Sequence, residues 1–259
     1  MGLQDRINNF DILSSRFKTD RPTDLIISHK IEDSLFKKFQ MATCLYVSKS
    51  IGENCFIEEE NKLIQELDKH YESISNITPN GIIVPKKHSI IEYNLLISSF
   101  MSIINSLNIN DLISSWHVPL NLRCKQGHVN ENNMKRHHPT EHIHSDSWAG
   151  ESSKSITMML PIFGDTGKNN VCFYHPPDTF EEEWLGPLPT YVAGKEIAEK
   201  YSKIDFVAPK GNLIFSDFST LHSSSRLKNA GTRLSIDTTF VLKQKNSKEK
   251  IHEWREEER

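Results

Sequence analysis

The sequence predicts a mainly β protein, a jelly roll buttressed by N-terminal helices. Three observations carry this. Helical periodicity is confined to roughly the first hundred residues; from residue 115 the apolar pattern changes to short alternating runs; and turns such as Gly164-Asp165-Thr166-Gly167 and Pro209-Lys210-Gly211 separate those runs. Many short strands between Gly and Pro turns suit a sandwich or barrel. Helices that precede the strands suit a layer packed on one sheet face.

Taken in order, Leu63, Ile64, Leu67, Tyr71 and Ile74 recur at helical spacing. Glu58, Glu59 and Glu60 precede them, where the positive end of a helix favours negative charge. Thr78-Pro79-Asn80-Gly81 is a turn, and Ser89-Ile90-Ile91-Glu92 has the spacing of a capping box. Leu96, Phe100, Ile103, Ile104 and Leu107 then form an apolar stripe. From Trp116 to Cys124 the chain alternates. Val118, Leu120, Leu122 and Cys124 share one face, and His117, Pro119, Asn121 and Arg123 share the other. Further strands are expected over Ser155–Phe163, Val171–Tyr174, Ile204–Ala208, Asn212–Phe215 and Thr232–Leu242. The excursion Thr179–Lys203, with Trp184, Gly186, Pro187 and Pro189, reads as a long loop of the kind that covers a site. The charged tail Lys243–Arg259 reads as a solvated helix or frayed end. The expected organisation is one domain over 1–259: a helical support region (1–114), a jelly-roll catalytic core (115–242) and the tail (243–259).

Composition narrows the function classes. A chain of 259 residues buries roughly 70–75% of its unfolded surface and needs no metal or disulfide to hold its core. A net charge of −3 argues against a nucleic-acid partner. Cys44, Cys55, Cys124 and Cys172 are widely spread and contain no C-x-x-C pair, which argues against a zinc ribbon or redox dithiol. Asp5 and Arg6 interrupt the N-terminus before any apolar run, so no signal peptide is expected. The longest apolar segment, Tyr93–Leu107, is broken by Ser98, Ser99, Ser102, Asn105 and Ser106, so no membrane span is expected. The expectation is a soluble cytoplasmic protein.

Histidine is the unusual residue. There are 12, and five fall between His128 and His144. Within that stretch His144-Ser145-Asp146 places an imidazole and a carboxylate two residues apart, on one face if the segment is a strand. Alone this is a weak signal, because 12 histidines and 13 aspartates give about 0.6 such matches by chance. It sharpens with His222, which follows the turn at Gly211 and the apolar run Asn212–Phe215. Two histidines and one carboxylate are the facial ligand set of a non-heme iron, with three positions left open. Eleven residues beyond His222, Arg233 and Ser235 share a strand face, and a buried Arg beside a hydroxyl suits a carboxylate. Arg226 is a rival anchor, expected on the loop after His222.

The order H-x-D, distant His, R-x-S resembles the Fe(II)/2-oxoglutarate-dependent dioxygenases. The stretch Gly211–Ser235, with Gly211, His222, Asn229 and Arg233, is similar to their phytanoyl-CoA-hydroxylase-like branch. His144–Gly150, Leu160–Asp165 and Asn170–Tyr174 resemble the 2-oxoglutarate oxygenases of bacterial carbohydrate-biosynthesis clusters. The resemblance spans roughly residues 115 to 242. It implies a double-stranded β-helix, Fe(II) on His144, Asp146 and His222, and 2-oxoglutarate and O2 as cosubstrates. It further implies that Arg233 and Ser235 hold the distal carboxylate. Asn121 and Thr157 join them as candidate cosubstrate contacts, and Arg123, Trp148 and Lys154 as candidate substrate contacts. Arg136 is a further basic group that could meet an acidic substituent. Asp146, which halogenating relatives replace by Ala or Gly, implies hydroxylation or another oxidation. The implied substrate is a small polar molecule, a sugar, nucleotide-sugar or sugar derivative.

Two readings from other classes stand beside this one. A zinc hydrolase or lyase would use His138, His142 and His144, although Pro139 spoils a helix between the first two. A non-catalytic jelly-roll carbohydrate-binding module would be expected to have lost a metal ligand, and none is missing.

Overall fold

The computed structural model describes residues 1–52, 56–117, 120–129 and 134–243. Four helices lie before the main run of strands: α1 (Leu3–Ser14), α2 (Asp33–Ser50), α3 (Glu60–His70) and α4 (Ile90–Ser106). Helix α3 has Glu60 in its first turn and Lys69 and His70 in its last, so its charges complement the backbone dipole at both ends. Helix α4 begins after Ser89 as expected, but the capping box does not form. The Ser89 hydroxyl is taken by the preceding turn, where it accepts from the Lys86 amide at 3.1 Å.

The first hundred residues are not purely helical. A hairpin, β1 (Asp20–Thr23) and β2 (Ile26–Lys30), lies between α1 and α2. Strand β2 pairs along its whole length with β8 (Asn212–Asp217), so this N-terminal piece extends the main sheet. The expected strand from Trp116 to Cys124 is two strands: β3 (Ile113–Trp116) and β4 (Asn121–Lys125). Val118 and Pro119 of that expected run lie outside the described residues. The remaining strands are β5 (Ser155–Gly164), β6 (Asn169–His175), β7 (Ser202–Lys203), β9 (Leu221–Arg226) and β10 (Arg233–Leu242). The stretch Ile204–Ala208 is not a strand, although the Ile204 amide still donates to the Phe173 carbonyl of β6 at 2.9 Å. Cys55 and residues 244–259 of the tail lie outside the described residues, while Cys44, Cys124 and Cys172 are buried free thiols. No described helix is long and apolar enough to cross a membrane.

All pairings are antiparallel, in two sheets. The large sheet runs β1-β2-β8-β5-β10-β3, with β4 also on β10; the small sheet runs β7-β6-β9. A single-residue bridge from His144 to His222 adds one more rung to the small sheet. The chain crosses repeatedly between the sheets: β4 large, His144 small, β5 large, β6 and β7 small, β8 large, β9 small, β10 large. This winding is the double-stranded β-helix.

Strand parity then decides which residues face the interior. Successive side chains of a strand point to opposite faces. Leu160, Ile162, Leu213, Phe215, Leu234 and Ile236 turn outward and join Phe39, Leu96, Phe100 and Ile103 of the helices in one apolar core. Each such buried side chain contributes roughly 1.5–3 kcal/mol. The alternate residues Thr157, Met159, Ile214, Ser216, Arg233, Ser235 and Asp237 point between the sheets, where they line a cavity. The helices cover one face of the large sheet, and the other face lines the cavity.

Candidate active site

The cavity between the sheets has a volume of about 240 Å³. Asp146 and His222 line one side of it, with the His144 ring fully buried beside that of His222, centroids 4.3 Å apart. His144 sits on the bridge to His222, with each backbone amide bonded to the other's carbonyl at 2.9 and 2.8 Å. Asp146 is not on a strand with it, as the sequence suggested. It opens a single helical turn, Asp146–Ala149, whose preceding residue Ser145 receives the Ser147 amide on its hydroxyl. That turn swings the carboxylate back toward both imidazoles. Asp146 Oδ1 lies 3.6 Å from His144 Nε2 and 3.8 Å from His222 Nε2. These separations are too long for hydrogen bonds. All three ligand atoms lie within 4.8 Å of one another, near enough for one cation to touch them all.

The electrostatics suit a cation. His144 Nδ1 donates to the His142 carbonyl at 2.7 Å, which fixes the ring and leaves Nε2 facing Asp146 and His222. That Nε2 is buried with no hydrogen-bond partner. Burial, with the neighbouring His144, lowers the His222 pKa to about 4, so its ring is neutral near pH 7. Burial alone would raise the Asp146 pKa, but His222, His144 and Arg123 together hold it well below the usual carboxylate range. The set therefore offers a neutral imidazole at His222, a second imidazole at His144 oriented by its Nδ1 bond, and one anion.

Arg233 and Ser235 meet in the same cavity, both 2% exposed. Among the described residues Arg233 makes one hydrogen bond, from Nη1 to the Asn169 carbonyl at 3.3 Å; its Nε is buried with no partner. No carboxylate forms an ion pair with it among the described residues. Burial and the nearby cations Arg123 and Arg226 lower its pKa to about 10, which leaves it protonated near pH 7. Thr157 lines the same space, and its hydroxyl is also buried without a partner. A buried guanidinium whose donors are unspent is expensive unless an anion completes it.

Arg123 and Asn121 line the cavity but are engaged. Asp237 accepts from Asn121 Nδ2 at 2.9 Å, from Arg123 Nε at 2.6 Å and from Arg123 Nη2 at 3.0 Å. Asp237 continues the spacing of Arg233 and Ser235 along β10, and that period was the available signal for it. His117 and Glu151 form a further pair at the cavity, 3.2 Å apart. Nothing in the sequence links these two.

Other expected residues fall elsewhere. Trp148 is 1% exposed and packs with Tyr191, Ala198, Tyr201 and Leu221 beneath the 176–201 excursion, so it is core and does not line the cavity. Lys154 is exposed in the turn before β5 and also does not line it. Arg136 is bound to Asn80 and to the His138 carbonyl. Arg226 is on β9, not a loop, and is committed to the Gln126 carbonyl at 2.7 Å and Glu141 at 3.2 Å. The zinc set does not assemble: among the described residues the one metal-competent group is His144, Asp146 and His222. His138 packs on Tyr191 and bonds the Leu188 carbonyl instead.

No family model matches the chain, and no curated protein matches it in sequence. Among solved structures it is similar to the non-heme alpha ketoglutarate dependent carbocyclase SnoK from nogalamycin biosynthesis (TM-score 0.47, 10% identity, 93% of this chain and 84% of that one). It is also similar to the epimerase SnoN from the same biosynthesis (TM-score 0.46, 11% identity, 90% and 83%). A third is AviO1 from Streptomyces viridochromogenes (TM-score 0.45, 12% identity, 93% and 96%).

Proposed function

We propose that this chain is an Fe(II)- and 2-oxoglutarate-dependent oxygenase that oxidises, by hydroxylation or a related reaction, a small polar substrate. The observation that carries the reading is a pair of unspent buried groups, one lining the cavity and one beside its Asp146 and His222 wall. His144 Nε2 faces a carboxylate and a second imidazole at metal-ligand spacing, and Arg233 lines the cavity, its Nε with no partner. Two histidines and one carboxylate fit an octahedral iron with open positions. In this reading His144, Asp146 and His222 hold Fe(II). Arg233 and Ser235 hold the distal carboxylate of 2-oxoglutarate, and Thr157 donates beside them. Bound iron supplies the O2-dependent oxidation of substrate, coupled to conversion of 2-oxoglutarate to succinate and CO2. The apolar walls Met159, Val171, Phe173 and Ile214 keep water from the methylenes of the cosubstrate. His117, Glu151 and Thr239, which also line the cavity, offer hydrogen bonds to a polyol. The resemblance noted above makes a sugar or sugar derivative the proposed substrate.

The test is an anaerobic titration of metal-free protein with Fe(II) and then 2-oxoglutarate, followed by visible absorption. A weak charge-transfer band that needs both additions supports the reading; iron binding without a band on adding the keto acid overturns it. Asp146→Ala is expected to lose the band and all coupled succinate formation.

A further inference from the structure

The excursion between β6 and β7 does not lie over the cavity as a free loop. It is seated on the segment that carries His144 and Asp146. Trp148 Nε1 donates to the Trp184 carbonyl at 2.7 Å, the Leu188 amide to the Trp148 carbonyl at 2.9 Å, and the Tyr191 amide to the His137 carbonyl at 3.0 Å. Gly194 lies so close to the Trp148 ring that a Cβ there would come within 2.3 Å of it. Arg6 of α1, fully buried, ties the excursion down from behind through Glu182 and holds Asp217 of β8 at 2.7 Å.

At the centre of this seat is Tyr191. It is 5% exposed, and its ring stacks on His144 with centroids 4.1 Å apart and planes 20° from parallel. His138 meets the Tyr191 ring edge-on at 4.8 Å. The His144 ring is therefore held twice: by its Nδ1 bond to His142 and by a flat aromatic face. The second hold fixes the ring's tilt, which a single hydrogen bond leaves free to rock. His222 has neither hold; among the described residues nothing hydrogen-bonds its ring.

We propose that Tyr191 is the positioning residue for His144, and that the 176–201 segment acts as a brace for the metal centre. This rests on the metal reading of His144, Asp146 and His222. Hydrogen-bonded outer-shell partners that orient a ligand imidazole change metal affinity or activity typically by about 10–100-fold, and an aromatic face that fixes the same ring serves the same end. Loss of the aromatic face should act in that range, because Nε2 must aim at a point shared with Asp146 and His222. Removal of the Tyr191 hydroxyl alone should not matter, since stacking needs only the ring.

The experiment is Co(II) binding to the metal-free full chain, read by visible absorption, for wild type, Tyr191→Phe and Tyr191→Leu. Expected are near wild-type affinity and spectrum for Tyr191→Phe. For Tyr191→Leu the expected results are a roughly tenfold or greater rise in Kd and a shifted Co(II) spectrum. Circular dichroism checks the fold, and Tyr191→Met replaces Tyr191→Leu if the latter is unfolded. Equal affinity and an unchanged spectrum in a folded Leu or Met variant overturn the brace while leaving the metal reading intact. Failure of wild type to bind Co(II) at all overturns the metal reading first.

Discussion

Two arginines face one cavity and differ in what they are given. Arg123, on β4, finds Asp237 and is closed off in a paired network with Asn121. Arg233, one strand over on β10, finds one peptide carbonyl and leaves Nε unspent. Each guanidinium on this sheet face must be desolvated, and only one is compensated by the chain itself. The difference separates wall from candidate site: a satisfied charge holds the wall together, and an unsatisfied one is open to a partner.

The comparison breaks or sharpens under substitution. The largest effect belongs to Arg233→Met. Two charge-assisted hydrogen bonds to a carboxylate are each worth about 1.5–3 kcal/mol, so 2-oxoglutarate affinity should fall about 100-fold or more by calorimetry. Urea unfolding of the ligand-free variant should show no loss of stability; a clear loss would mean that Arg233 is structural after all. Asp237→Ala should do the opposite. Arg123 and Asp237 have side chains 16% and 22% exposed, between surface and deeply buried pairs. A cost of about 2 kcal/mol in urea unfolding is expected, and Arg123→Met in the same chain should recover part of it. A full-strength loss that the second change does not relieve would sever the pairing argument.

The smallest effect concerns a third cation, Lys125, beside Thr140 Oγ1 at 2.6 Å and Glu141 at 3.3 Å. Burial lowers its pKa from 10.5 to about 8. Between those values the unfolded chain binds the proton and the folded chain does not, so stability from this group rises with pH from about 8 to 10.5. Lys125→Met should lack that rise. Unfolding free energies at pH 7.5, 9 and 10, compared between the two proteins, check it; parallel profiles would show that Lys125 keeps its proton.

The β half of the fold was legible because parity is written directly into residues such as Arg233, Ser235 and Asp237, alternating with Leu234 and Ile236. Asp146 was legible as a candidate ligand, but the geometry that brings it to both imidazoles was not. The turn that redirects it depends on a Ser145 hydroxyl bond that no period reveals. The β1–β2 hairpin was missed because its partner strand β8 is far along the chain, and four- and five-residue strands carry little alternation. Arg226 was misplaced because Ser223, Ser224 and Ser225 read as loop, while backbone pairing with β6 makes them strand. Tyr191 was invisible: stacking on His144 is a contact between segments that share no pattern.

The ties made by Arg6 have a consequence for the order of events in folding. Its bonds to Glu182 and Asp217 span 176 and 211 residues of chain. Closures of that length are slow and come late, after local helices and hairpins have formed. The brace behind His144 is therefore locked only once the first turns of the chain have met strands from near its end. A nascent chain can expose His144 and Asp146 well before His222 and the brace exist. If the site holds iron as proposed, loading would follow folding, because His144, Asp146 and His222 meet only in the finished architecture.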